Sequence, residues 1–449
     1  MRIWGYCTSF DMPHGRIQDA FFQRKANFYG TVREKGQGKG IGTEMYTKWL
    51  HLLNKIRFAR YWVMYGLAVF FAKFYQNQTE YKNLWIVSER GVDARDNGYH
   101  FFRYVRQMHP EVNICYIISK NSPDRKRVEE LGKVIDYRSF RHFLAFILSE
   151  VKVSTHIVGY SPDLYMFLQY EKKGRIKGVK VFLQHGIMKD KMPFYYKKNT
   201  SPSLFVCSAK REYEFVRKSF GHPEGVVQLL GLCRYDNLPL KSKRKVSGRK
   251  ILLMPTWRFM LDEKSWRDVV KSPWFQAFQN LLVDSRFANL LKKNGDELLF
   301  YPHYKMQKFV RYFKTGSGDM KILDRRMADV QELLIQVDVL ITDFSSVFFD
   351  FAYMGKPLIY YQFDRKKFRE VHLQEGYFSY EQDGFGPVVE TRDNLLKELK
   401  NLLCGECTVK EPYKSRAEGF FAYRDKENCR RNYEAVLSLL KEEKDGEEN

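Results

Sequence analysis

The stretch VDVLITDFSSVFFDFAYMGKPLIYY, residues 337–361, decides the fold. VDVLIT is short, continuous and apolar, and reads as a buried strand. SVFFDFAYM reads as a buried helix that Gly355 stops, and KPLIYY as a second buried strand. A strand, a helix and a strand in close succession form a βαβ unit, whose parallel strands are covered on both faces. Asp343 ends the first strand, and Ser345 or Ser346 stands where an N-cap belongs. A helix start at the carboxyl end of a parallel strand offers unpaired N–H groups and partial positive charge, which suits a phosphate. One serine would satisfy capping alone; a pair beside an acid points to phosphate binding.

The same alternation runs outward through most of the chain. From residue 83, NLWIVSE precedes YHFFRYVRQMH, VNICYIIS precedes DRKRVEELG, and KVIDY precedes SFRHFLAFILSEV. VSTHIV, a helix near 163–172, VKVFLQHG, SLFVCS with AKREYEFVRKSF, and VVQLLG continue the series. LPLKSKRKVSGRK, residues 238–250, is polar and basic with Pro and Gly, which marks a linker. The pattern restarts at KILLMPTW and passes through ELLFYPHY and MKILD to the opening stretch. Two α/β domains are therefore expected over residues 81–240 and 250–425, after an extension over 1–80. A C-terminal helix near 426–443 should end in KEEKDGEEN, a charged tail read as solvated or disordered. GQGKGIGT, residues 36–43, lacks a preceding strand and a Gly-Lys-Ser/Thr ending, so it reads as a flexible connector.

Bulk composition limits the partners. A chain of 449 residues exceeds one ordinary core, and 44% hydrophobic content is that of a globular protein. A net charge of +23 points to a polyanionic partner: nucleic acid, an anionic membrane face or a phosphate polymer. Nucleic acid is not expected, because no RNP-like block, helix-turn-helix signature or zinc module is present. The seven scattered cysteines read as reduced thiols, and Cys404-Gly-Glu-Cys407 has no second pair at zinc spacing. No secretory signal is expected in the opening residues. KIRFARYWVMYGLAVFFAKFYQ, residues 55–76, has an apolar core of 12 residues, 61–72, short of the roughly 20 that span a bilayer. With Arg57, Arg60 and Lys73 flanking it, it is expected to lie in a membrane interface; a helix buried on the first domain is the alternative.

Candidate functional residues recur at strand ends. His185, Gly186 and Lys189 follow one strand of the first domain, and Glu89, Arg90, Asp96 and Asn97 follow another in ERGVDARDNG. GLCRYDNL adds Arg234 and Asp236 before the linker. In the second domain Thr256, Trp257 and Arg258 follow KILLMP, His303 and Lys305 follow ELLFYP, and Thr342, Asp343, Ser345 and Ser346 belong to the opening stretch. Two histidines ending strands of different domains suit one interdomain cleft, and their ordinary pKa near 6.5 suits proton transfer. No His/Asp/Glu cluster has metal-ligand spacing, so no metal is assigned.

DVQELLIQVDVLITDFSSVFFDFAYMGKPLIYYQFD, residues 329–364, resembles the signature of the CDP-glycerol glycerophosphotransferase family, the teichoic acid glycerophosphate primases and polymerases and their capsule-synthesis relatives. LQHGIMK, GLCRYDNL and MPTWR match further blocks in order, and residues 85–128 resemble the N-terminal block of polymerase-type members. The chain departs in reading Ile187 after His185-Gly186, where Thr is common, and in placing Pro302 before His303 instead of a proline after it. The resemblance implies a GT-B-like α/β fold, two Rossmann-like domains facing a cleft, with the nucleotide donor on the C-terminal one. It implies transfer of glycerol phosphate from CDP-glycerol to a hydroxyl of a lipid-linked phosphopolymer or glycolipid acceptor, with release of CMP. It further implies that His185 and His303 are the catalytic pair; His185 is the candidate general base and His303 the donor to the transferring phosphate or leaving oxygen, with the exchanged roles as the alternative. Arg258, Lys305, Ser345 and Ser346 would then meet the phosphate charge. No cofactor is expected beyond the donor, and the enzyme should sit peripherally on the cytoplasmic face of an anionic membrane. A CDP-ribitol donor and a nucleotide-sugar glycosyltransferase remain the alternatives, as does the choice between primase and polymerase.

Overall fold

The structure is a computed structural model that describes residues 59–240, 246–261, 264–324, 329–371 and 374–447. Two fully parallel sheets form its framework. The first has seven strands, β1 (Trp85–Ser88), β2 (Ile114–Ile118), β3 (Val134–Asp136), β4 (Val151–Ser154), β5 (Val179–Phe182), β6 (Leu204–Cys207) and β7 (Val227–Leu229), in the order β3-β2-β1-β4-β5-β6-β7. The second has six, β8 (Lys250–Met254), β9 (Glu297–Phe300), β10 (Met320–Ile322), β11 (Val339–Thr342), β12 (Leu358–Tyr361) and β13 (Val388–Val389), in the order β10-β9-β8-β11-β12-β13.

β1, β2, β11 and β12 are buried along their length, which is why they read as near-continuous apolar runs, whereas β4 and β5 each carry one buried lysine, Lys152 and Lys180. Both sheets reverse strand order beside their first strand, between β1 and β4 and between β8 and β11. That switch point opens a crevice at the carboxyl ends of the strands.

Three local expectations are corrected. VSTHIV does not form a strand as a unit: β4 stops at Ser154 and leaves Thr155 and His156 in the following loop. DRKRVEELG supplies only the short helix Arg125–Glu129. Residues 441–447 of the charged C-terminal end are helical, because the helix Asn428–Glu447 reaches that far.

That last helix returns to the first domain. Cys429, Tyr433, Val436 and Leu440 share a core cluster with Trp85, Phe101 and Val105. Tyr433 also stacks on His109 at 3.9 Å between ring centroids. The helix thus covers the opening domain's sheet although it follows the second domain in the chain.

A helix over residues 59–75 lies against the same domain by one face. Tyr61, Ala68 and Ala72 are buried in its core, with Met64, Tyr65 and Tyr75 packed beside them. Its other face leaves Trp62, Val63, Leu67, Val69, Phe70 and Phe74 exposed, Phe74 to 64%. The helix thus packs on the first domain, as one of the two readings expects, while these apolar side chains remain exposed. Among the described residues no helix is long and apolar enough to cross a membrane. The connector at 36–43 lies outside the described residues, as do 241–245 of the expected linker.

Candidate active site

On the first domain the site grows from the ends of β1, β5 and β7. After β5, Gln184 takes a left-handed backbone conformation (φ 60°) that its amide secures by donating 3.0 Å to Glu212 Oε1. The turn brings out His185, whose side chain is 64% exposed. Its Nδ1 lies 2.9 Å from Asp96 Oδ2. Asp96 Oδ1 accepts from Asn97 N–H and from Arg234 Nη1, at 2.8 and 2.7 Å.

Burial alone would raise the Asp96 carboxyl, but Arg234 and His185 hold it well below the usual range, so it is ionised. His156, in the loop after β4, sits 5.0 Å from His185 between ring centroids; burial, then His185 and Arg90, push it well below 6.5 and keep it neutral. Glu89, after β1, accepts from the backbone N–H groups of Arg95, Asp96 and Tyr99. Burial and neighbouring Asp96 push its carboxyl up to about 8.

On the second domain the loops after β8, β9 and β11 converge. Asp343 Oδ1 accepts from Thr256 N–H at 2.8 Å, and Thr342 Oγ1 donates to the Met254 carbonyl at 2.7 Å, which ties β11's end to β8's. Arg258 bridges Asp343 (2.9 Å) and Asp364 (2.7 Å) and is only 5% exposed. Its charge is matched twice within the fold, so it frames the loop and does not face the cleft as an open cation. Trp257 stacks over His303 at 6.2 Å, and Lys305 Nζ stands 3.7 Å from the Trp257 ring centroid. His303 Nδ1 accepts a long hydrogen bond, 3.4 Å, from Lys305 N–H. Thr256 Oγ1 is buried without a hydrogen-bond partner.

Ser345 and Ser346 are half-buried at the start of the helix Val347–Tyr353. The expected capping does not occur: Ser346 already has helical dihedrals and its side chain makes no cap bond. Its hydroxyl instead faces the other domain. A Cβ added to Gly186 would meet Ser346 Oγ at 3.3 Å, so glycine lets the two loops touch.

Further contacts join the domains around this point. Arg234 Nε and Nη2 donate to the two oxygens of Asp350, both at 2.8 Å. His100 Nε2 pairs with Gln331 Oε1 at 2.8 Å, and Arg90 stands over the Tyr304 ring at 5.7 Å.

Most sequence candidates thus lie where the two domains meet; besides Arg258, Asp236 and Lys189 are engaged elsewhere. Asp236 accepts from the backbone N–H groups of Asn428 and Cys429 and so anchors the start of the C-terminal helix. Lys189 is buried against Asp190, which also pairs with Arg369 of the second domain. Sequence reasoning missed Asp350, Asp364 and His156. Asp350 lies inside the apolar helix VFFDFAY, where a single acid in a buried run is the only signal. Among the described residues no group of three His, Cys, Asp or Glu is placed to hold a metal, and six cysteines are free thiols.

Residues 69–438 match the family described as CDP-glycerol:poly(glycerophosphate) glycerophosphotransferase. The chain belongs to this family. Among its curated relatives, the minor teichoic acid biosynthesis protein GgaB of Bacillus subtilis (strain 168) is 33% identical over 369 residues, covering 80% of this chain and 40% of that one. The teichoic acid poly(glycerol phosphate) polymerase of Staphylococcus epidermidis is 25% identical, covering 76% of this chain and 48% of its own. The chain therefore spans less than half the length of these two relatives. A solved structure of the wall teichoic acid polymerase TagF superposes with a TM-score of 0.63 at 19% identity, over 90% of this chain and 99% of that one. The two-domain α/β, GT-B-like arrangement expected of the family is thus the fold of this member.

Proposed function

We propose that the chain transfers glycerol phosphate from CDP-glycerol to a hydroxyl of a membrane-linked acceptor, releasing CMP, in the synthesis of a teichoic-acid-like or capsular phosphopolymer. The observation that carries this reading is the meeting of His185-Gly186 with Ser346 across the cleft, at the carboxyl ends of both sheets. Family membership and the likeness to GgaB and the glycerol phosphate polymerase support the donor class. A TagF structure obtained after a CDPG soak supports it through the shared fold.

The two histidines present opposite nitrogens. Asp96 is ionised and can only accept, so His185 carries its proton on Nδ1 and keeps a basic Nε2. His303 Nδ1 faces the Lys305 N–H, an arrangement that suits a proton on Nε2 and a donor role. His185 is accordingly assigned as the general base and His303 as the donor to the transferring phosphate or the leaving oxygen.

In the reaction the acceptor oxygen forms a bond to the β-phosphorus while the bond to the bridging oxygen breaks. CMP leaves with that electron pair, and the acceptor proton goes to His185 Nε2. Lys305 and the hydroxyls of Ser345, Ser346 and Thr256 meet the phosphate charge, since phosphoryl transfer rests mainly on positioning and electrostatics. Arg258, Asp343 and Thr342 hold that loop in place. The reading assigns no cofactor beyond the donor.

Peripheral membrane binding is part of the same proposal. The helix over 59–75 presents an exposed apolar face, and Trp62 on it touches Tyr170 at 5.7 Å. Next to Tyr170 a cavity of about 510 Å³ is lined by Lys172, Lys173, Lys197 and Lys198. Apolar surface beside clustered lysines suits an anionic bilayer face.

The test is to incubate the protein with CDP-glycerol, CDP-ribitol and nucleotide sugars together with lipid-linked acceptors. CMP from CDP-glycerol is expected; release of a nucleoside diphosphate would assign a glycosyltransferase instead. The length of the product separates a primase from a polymerase.

A further inference from the structure

We propose that Asp96 is the positioning residue of His185, fixing its proton on Nδ1, and that Arg234 locks this arrangement to the second domain through Asp350. The inference rests on the reading of His185 as the general base. It adds an assignment for three charged residues that the reaction itself does not require.

The two oxygens of Asp96 are differently engaged. Oδ1 accepts from Asn97 N–H and from Arg234 Nη1, which meets the structural needs of the helix Asn97–Met108 and of the buried guanidinium. Oδ2 is directed at His185 Nδ1. A carboxylate serving only as a helix cap would need one oxygen. The second bond sets the imidazole tautomer and rotation, as a buried carboxylate does for a histidine base in general.

Arg234 extends this arrangement across the cleft. Its backbone N–H donates to Asn97 Oδ1 at 3.0 Å, and Asn97 Nδ2 donates to the Gln184 carbonyl at 2.9 Å. Nη1 also donates to the His185 carbonyl at 2.9 Å. The remaining edge of the guanidinium forms the fork on Asp350, in the helix that begins just after Ser346. One side chain therefore holds the base, its orienting carboxylate and the serine-bearing helix. A planar guanidinium with fixed donors can do this, and an ammonium cannot.

The test reads the histidine tautomer directly. Full-length protein labelled with ¹⁵N-histidine is examined by NMR at pH 8, the His185 signals being identified by their absence in His185→Ala. His185 in the Nδ1–H form is expected, and an Nε2–H form in the wild-type protein overturns the proposal without any further variant. Asp96→Asn keeps a capping side chain, since asparagine caps helices as well as aspartate. Its amide group directed at Nδ1 is expected to move His185 to the Nε2–H form and lower kcat by roughly 10²- to 10⁴-fold. Wild-type kcat in that variant, or an unchanged tautomer, contradicts the positioning role.

Asp350→Asn is expected to leave the tautomer intact but to lower kcat/KM for CDP-glycerol by roughly 10²-fold through misplacement across the cleft. Wild-type kcat/KM there contradicts the interdomain lock. His185→Ala retaining full CMP release would instead remove the underlying base assignment, whatever the tautomer shows.

Discussion

Charge balance decides what each candidate side chain does. Arg258 and Lys305 look equivalent in the sequence, two cations just after strands of one domain. The structure buries Arg258 between two carboxylates, and it places Lys305 Nζ over the face of Trp257, which stacks on His303. Arg249 shows the structural extreme of such pairing: its guanidinium is 1% exposed and forks onto Asp296, which is fully buried. Arg249→Met should lower stability by about 3–5 kcal/mol, because it leaves a buried carboxylate uncompensated. Chemical denaturation checks this, and CMP release at 25 °C should be unaffected.

Two buried histidines give the molecule a pH dependence of stability. Burial lowers His100 and His142 to about 4 from the ordinary 6.5. His142 is held neutral between Arg138 N–H and the Tyr160 carbonyl. Between pH 6.5 and 4 the unfolded chain binds protons that the folded one does not, so acidification through this window favours unfolding. Each group should remove on the order of 3 kcal/mol by pH 4. Urea midpoints measured from pH 7 down to 4 should fall accordingly.

Secondary elements were the most legible level. Apolar runs flanked by turn residues mark, at least in part, twelve of the thirteen strands among the described residues, because strands of a parallel sheet are buried on both faces. The two-residue β13 was not found, being too short to carry a pattern. The end of the 151–158 region was misjudged because Ile157 and Val158 are apolar yet buried in a loop. The sites were legible as strand-end positions, but their partners were not, because Asp96, Arg234 and Asp350 lie far apart in the chain and only the tertiary fold joins them.

Asp236 illustrates the limit. A motif placed it among cleft residues, whereas its carboxylate holds the start of the C-terminal helix. Asp236→Ala should cost about 1–3 kcal/mol by leaving backbone N–H groups unsatisfied, with kcat unchanged. A fall in kcat without loss of stability would return it to the cleft.

The helix over 59–75 is packed by Tyr61, Ala68 and Ala72, so removing it would open the first domain's core as well as the outer face. Substitution of the outward residues separates these effects. Phe70→Glu with Phe74→Glu should abolish sedimentation with anionic vesicles while leaving the melting temperature within a few degrees of wild type. Unchanged sedimentation would place the membrane contact elsewhere.

The central claim is that both histidines act across one cleft on CDP-glycerol. It is tested most directly by the rate of CMP release from CDP-glycerol in the presence of a lipid-linked acceptor, for the wild-type protein, His185→Ala and His303→Ala. The wild type should release CMP, and each variant should be slower by roughly 10²-fold or more with unchanged melting behaviour. Wild-type turnover in either variant would contradict the account.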